Sequence, residues 1–392
     1  MLASNPSSTS GISGELWPAH VKPQKDELLS SWLVRLAMAH GLKLHTFCSV
    51  VWPGKQIWNR DIDKSADAAL LDLLSRKTAV SKTAAANTTL AAYQGRLYEH
   101  HNPYGNTFWI MPLGIYHRTH KKFGLQFCPQ CLAGDKKPYY RRRWRLAFIT
   151  CCEIHSIALL DRCYRCNAPI NFHRDEMGDR DRYSPVSMIR CHSCRIDLRN
   201  SPSVQSTLAV KQFQEQLLET MERGWIEIPG QGPIYSHLYF AVLHQIMKAL
   251  AMGKGANILR DAISHLCLIG NPQLKLSKEH RGIEHLNIAA RQRLLNLARC
   301  LLEEWPERFI EICLDNKIWS SVLLKDFHSP PFWFWSVVHD HLFRTSYRPS
   351  PLEISSIAAY LSKTGHAPTR KAISRYLGVN DAFRKRKTKI QI

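Results

Sequence analysis

Early in the chain, apolar positions follow a helical beat. Leu28, Leu29, Trp32, Leu33, Leu36 and Ala37 recur along one helix face. Asp26, just ahead of them, is placed to cap the helix. Gly41 ends it, because the left-handed residue that often follows a helix suits glycine. A second apolar run, Leu44–Val51, closes before Pro53. Helix, glycine turn and helix outline a helix-turn-helix, with Arg35 and Lys43 near the turn. A plain helical hairpin fits the same pattern.

Later stripes are less specific. Val204, Leu208, Phe213, Leu217 and Met221 keep an approximately helical spacing, and Leu294, Leu295, Ala298, Leu301 and Leu302 keep a tighter one. Both are assigned to core. The run Pro331-Phe332-Trp333-Phe334-Trp335 suits packing, with base stacking as the alternative. Near the end, Ala372, Ile373, Tyr376 and Leu377 share a helix face, Gly378-Val379-Asn380 make a turn, and 381–389 can form a second helix. That segment carries Arg384, Lys385, Arg386 and Lys387, which would serve a recognition helix or a solvated basic tail. The expected divisions are a loose tail (1–17), a helical domain (18–118), a cysteine-rich module (119–200), a helical domain (201–345) and a basic helix-turn-helix candidate (346–392).

Composition narrows the class. The chain has 392 residues, 45% of them hydrophobic and 22% charged, the balance of packed globular domains. Lys and Arg number 53 against 32 Asp and Glu, a net charge of +21. That excess suits a polyanionic partner. No stretch approaches the ~18 apolar residues needed to span a bilayer: Leu238–Met252 is broken by His244 and Lys248, and Pro331–Phe343 by His339, Asp340 and His341. The Ser-rich start lacks the pattern of a signal peptide, so the expected place is the cytoplasm. In that reducing compartment twelve cysteines point to metal rather than disulfides.

Eight cysteines fall within 119–200, and their spacing is the most specific signal. Cys128-x2-Cys131 precedes Cys152-x2-His155, and Cys163-x2-Cys166 precedes Cys191-x2-Cys194. A two-residue gap lets a tight knuckle aim both side chains at one ion, and two knuckles complete a tetrahedron. The expectation is two structural zinc ions per chain, with no coordination position open to water. Cys151 adjoins Cys152, and His192 lies between Cys191 and Cys194, so either competes as a ligand; an iron–sulfur cluster is the alternative for the all-cysteine set. The fold class expected is mainly α, with helix-turn-helix candidates at both ends around a central pair of zinc-binding modules with small β elements. Between the first two knuckles runs Tyr139-Tyr140-Arg141-Arg142-Arg143-Trp144-Arg145-Leu146-Ala147-Phe148-Ile149-Thr150, whose aromatic and β-branched content suits extended structure. Its arginines either clamp phosphates or pair with Asp135, Glu153 and Asp161.

These residues resemble a known family. Phe127-Cys128-Pro129-Gln130-Cys131-Leu132, Pro138-Tyr139-Tyr140-Arg141-Arg142-Arg143-Trp144-Arg145-Leu146 and Thr150-Cys151-Cys152-Glu153-Ile154-His155 are similar to motifs of the TniQ/TnsD proteins. So is the opening Asp26-Glu27-Leu28-Leu29-Ser30-Ser31-Trp32-Leu33-Val34-Arg35-Leu36-Ala37. The likeness covers about residues 16–200. One departure is Cys152-Glu153, where the family usually has Cys-Pro; ligation does not depend on it. The resemblance implies a target-selection protein of a Tn7-like transposon in a bacterium, most like the short TniQ that accompanies CRISPR effectors. It further implies a homodimer held by Cascade subunits, the crRNA-processing endonuclease and a backbone subunit, with their guide RNA. It also implies recruitment of the AAA+ regulator TnsC and the transposase, with target DNA nearby.

The leading expectation is therefore a non-catalytic adaptor; a stand-alone, sequence-specific DNA binder like TnsD is the alternative. An enzyme is not expected. Gly253-Lys254-Gly255 is no P-loop, His339-Asp340-His341 points its side chains different ways, and His117-x2-His120 has no evident carboxylate beside it.

Overall fold

Leu28, not Asp26, caps the first helix, α1 (Leu29–Ala39), and it offers no side-chain cap. Asp26 instead takes a left-handed φ of 57°, and its carboxylate pairs with Arg142 and Arg143. Ion pairing thus occupies the side chain that capping would have used. Gly41 sits at φ 65° as the sequence expects, and α2 spans Leu44–Val51. Nearly all of α1 is buried, whereas α2 buries only Leu44, Phe47 and Cys48.

The computed structural model describes residues 15–175, 187–253, 255–266, 282–343, 349–379 and 382–383. Three short helices follow α2: α3 (Ile62–Ser65), α4 (Ala68–Thr78) and α5 (Lys82–Ala86). Asp67 caps α4 by accepting from the Leu70 N–H at 2.7 Å, and Ser81 caps α5 by accepting from Ala84 N–H at 3.0 Å. A hairpin of β1 (Ile115–Tyr116) and β2 (Thr119–His120) pairs Ile115 with His120 and Tyr116 with Thr119. Next comes α6 (Pro129–Gly134), then α7 (Leu208–Arg223). A second antiparallel hairpin, β3 (Trp225–Ile228) and β4 (Gly232–Tyr235), leads into α8 (Ser236–Ala251).

Five more helices complete the first unit: α9 (Ala256–Leu266), α10 (Ile288–Leu302), α11 (Glu307–Asp315), α12 (Ser320–Leu323) and α13 (Phe332–Leu342). Helix α10 buries Leu294, Leu295, Ala298 and Leu301, as its stripe predicts. On α7 only Phe213, Leu217 and Met221 of the expected stripe are buried. Val204 lies before the helix and Leu208 begins it, and both are exposed. The aromatic run divides: Trp333 and Phe334 pack against Trp305, while Phe332 and Trp335 face outward.

The chain splits into two compact units, residues 1–342 and 343–392. In the second, α14 (Pro351–Lys363) precedes α15 (Arg370–Tyr376). A capping box starts α14: Glu353 N–H donates to Ser350 Oγ at 3.2 Å, and Ser350 N–H donates to the Glu353 carboxylate at 2.6 Å. Helix α15 is the first helix expected there, and Gly378 follows at φ 66°. The expected second helix, with Arg384, Lys385, Arg386 and Lys387, lies outside the described residues. The fold is mainly helical with small strands. Among the described residues no helix is long and apolar enough to cross a membrane.

Candidate metal centres and the charges around them

Three of the four knuckles share one backbone solution. Cys152, Cys163 and Cys191 each donate their N–H five residues ahead, to Ile157, Ala168 and Ile196, at 2.8–3.0 Å. Each also accepts at its carbonyl from the N–H four residues on, of Ser156, Asn167 and Arg195, at 2.8–3.0 Å. Those three residues sit at φ 55°, 59° and 65°, the left-handed position that closes so tight a turn. The remaining knuckle opens a helix. Cys128 is the N-cap of α6, and its sulfur accepts from the Cys131 N–H at 3.4 Å.

These turns bring two sets of four ligand atoms together, Cys128, Cys131, Cys152 and His155 in one and Cys163, Cys166, Cys191 and Cys194 in the other, all within 4.8 Å of one another. In the first set Cys131 Sγ lies 3.5 Å from Cys152 Sγ and 3.4 Å from His155 Nδ1. In the second, Cys163–Cys194 and Cys166–Cys191 are 3.5 and 3.6 Å apart. A disulfide needs about 2.05 Å between sulfurs. A zinc tetrahedron with Zn–S near 2.3 Å has edges of about 3.8 Å between sulfurs. The separations match ligands around one ion, and the donor chemistry fits zinc. Four protein ligands complete each shell, so a bound ion would staple the fold.

The arginine run between the first two knuckles forms a 3-10 turn over Arg142–Arg145, not the extended strand its composition suggests. Carboxylates brought in from other segments, most of them half-buried, explain the difference. Arg141 makes a two-pronged contact with Asp135, both distances 2.9 Å. Arg142 reaches Asp26 at 3.3 Å. Arg143 spans Asp26 and Glu153, both at 2.7 Å. Burial would lower the Arg143 guanidinium's pKa, but these two carboxylates hold it above the ordinary arginine range. Arg145 is 0% exposed and lies 2.6 Å from Asp61 and 3.2 Å from Asp63. Asp135 and Glu153 are partners the sequence suggests; Asp161 pairs instead with Arg162.

Residues 18–159 match the TniQ family. Over that span the chain is similar to TniQ proteins. That family provides non-catalytic target-selection adaptors in Tn7-like transposition, and no curated protein matches the chain. The matched span takes in the first metal cluster and the paired arginines, while the second cluster lies beyond it.

Within the matched span Cys151 joins neither cluster; it is buried, and its backbone is held by Gln214 of α7. Gln214 Oε1 accepts from Thr150 and Cys151 N–H at 2.7 and 3.1 Å, and its Nε2 donates to Cys151 C=O at 2.9 Å. Gln214 thus positions the segment that enters the Cys152 knuckle. Sequence reading missed it, although a glutamine beside Phe213 on a buried stripe was a usable signal. A second support is Arg291 of α10, fully buried, which donates to Gln126 Oε1 at 2.9 Å and to the Ala147 carbonyl. His192 also lies outside the second cluster, as do His339 and His341. His120 is buried with Nδ1 3.0 Å from the Ile170 carbonyl. Arg35, near the α1–α2 turn, is buried against Glu27.

Proposed function

We propose that this chain is a non-catalytic target-selection adaptor of a Tn7-like transposon in the bacterial cytoplasm. It binds an RNA-guided Cascade effector as a homodimer, against the crRNA-processing endonuclease and a backbone subunit. From there it recruits the AAA+ regulator TnsC, and through it the transposase, to target DNA. Two structural zinc ions, held by Cys128, Cys131, Cys152 and His155 and by Cys163, Cys166, Cys191 and Cys194, keep the adaptor's centre rigid. The observation carrying the reading is the TniQ match over 18–159 with a four-ligand cluster inside it. A filled tetrahedral shell supports scaffold rather than catalysis, since catalytic zinc keeps a position for water or substrate. Guide–target pairing then supplies sequence specificity, so the adaptor need read no bases.

A tagged chain purified from cells expressing Cascade with its guide RNA tests this. Stoichiometric co-purification that survives nuclease, with about two zinc ions per chain, is the expected result. Absence of Cascade, with retention of a single DNA sequence by the chain alone, would overturn it in favour of a TnsD-like DNA binder.

A further inference from the structure

The β1–β2 hairpin turns on two non-glycine residues in the left-handed region, His117 at φ 45° and Arg118 at φ 61°. Such a type I′ turn usually carries Asn-Gly, because a β-carbon is strained there. Here the turn is seated from below. Arg174 donates to the His117 carbonyl at 3.0 Å, and His173 Nε2 lies 3.1 Å from the Arg118 carbonyl. His173 in turn stacks on Trp58, with ring centroids 4.6 Å apart. The hairpin is therefore a fixed finger.

Its side chains are basic and aromatic. Lys121 Nζ stands 3.8 Å over the ring of Tyr116, which is 57% exposed. Among the described residues Arg118, Lys121 and Arg174 have no carboxylate within ion-pair distance. Each arginine of the 141–145 run has one. Burial chiefly, then Arg118, pushes the neighbouring His45 down to about 4, with Arg174 adding to it. His173 is held well below its usual range by burial and by His120, His45 and Arg174. Cations on and beside a rigid hairpin, with no carboxylate partner among the described residues and an exposed ring next to them, suit a phosphate backbone with an adjacent base.

We propose that this hairpin is a nucleic-acid backbone finger, with Arg118, Lys121 and Arg174 donating to phosphates and Tyr116 offering a stacking face. This goes beyond the adaptor reading, which asks for no direct nucleic-acid contact by this chain. The test is binding of the zinc-loaded full chain to a labelled random-sequence duplex DNA and to a labelled single-stranded RNA across a salt series. Each duplex phosphate contact contributes about 0.9 to the slope of log K against log salt. The double variant Arg118→Gln/Lys121→Gln should flatten the duplex slope by about 2 and weaken low-salt binding about tenfold or more. Lys55→Gln/Lys82→Gln, which removes two surface cations elsewhere, should leave both unchanged. Zinc content and thermal midpoint matching the native chain confirm that the finger variant is folded. Unchanged slope and affinity in that variant, or no binding by the native chain to either probe, would overturn the proposal. So would competition by polyglutamate as strong as that by nucleic acid at equal charge, which would point to an acidic protein. Loss of Cascade co-purification would not bear on it, because the assay contains no effector.

Discussion

Arg145 is wholly enclosed between Asp61 and Asp63, while Lys121 stands over Tyr116 with no carboxylate in reach among the described residues. The two lie in neighbouring parts of one strongly basic chain. The 141–145 run is the denser cluster in sequence, yet each of its arginines answers an acid of the same fold. The hairpin region carries fewer cations, and among the described residues no carboxylate pairs with Arg118, Lys121 or Arg174. Cation density along a sequence therefore does not locate positive potential at the surface. What decides it is where the acids fold to: Asp26, Asp61 and Asp63 arrive at the arginine run from distant segments, and none of the described residues brings one to the hairpin tip.

The largest test disrupts, one at a time, the two candidate zinc clusters that frame both regions. Cys128→Ser should lose about one zinc per chain and loosen the loop that holds the arginine run. Cys163→Ser should lose about one and loosen the seat of the hairpin. Structural zinc binding is worth on the order of 10 kcal/mol coupled to folding, so proteolysis should begin in the affected module. Full zinc occupancy in either variant would show the ligand sets to be misassigned.

Next in size is the contrast between the two kinds of cation. Arg145→Met leaves Asp61 and Asp63 without their shared partner in the interior, and should cost about 3–5 kcal/mol in chemical denaturation. Arg118→Gln should change stability by no more than about 0.5 kcal/mol, as for an ordinary surface position. Equal losses would erase the distinction between a structural and a surface cation.

The unequal legibility of these features has a physical cause. The two Cys/His clusters that could hold zinc show in the sequence because a knuckle is local: two residues of spacing set the geometry. The apolar stripe of α10 is legible for the same reason, and Gly41 ends α1 where a glycine can. The capping box of Ser350 and Glu353 was equally local and would have revealed α14. By contrast, the 3-10 turn at Arg142–Arg145 and the diversion of Asp26 from capping depend on partners far along the chain. Gln214 acts on a knuckle more than fifty residues before it. Nothing in His117-Arg118 announces a type I′ turn, because the residues that hold it, His173 and Arg174, come from the segment between the two knuckles of the second cysteine cluster.

Acid should separate the regions too. Burial chiefly holds His120 down to about 4, with Arg145 and His192 adding to it while the Ile170 carbonyl and Asp61 oppose it. Its pKa is thus lower folded than unfolded, and the neutral ring is the form the fold accepts. Its contribution is fully present above about pH 6.5 and is lost as pH falls from there toward 4, amounting to about 3 kcal/mol. Denaturation at saturating zinc should show this loss in the native chain and a flatter profile in His120→Gln. Superimposable profiles would mean that the imidazole is not buried neutral.

The smallest stability effect is the most discriminating. At φ 61° Arg118 pays a conformational cost that glycine would not, so Arg118→Gly should stabilise the chain by up to about 1 kcal/mol. The hydrogen bond at its carbonyl uses the backbone and survives the change. The same substitution deletes a phosphate donor, so nucleic-acid affinity and its salt slope should fall while the melting midpoint rises. A residue kept for the fold would move both downward. A residue kept for contact, at a position that strains its backbone, moves them in opposite directions, and two measurements on one variant decide between these cases.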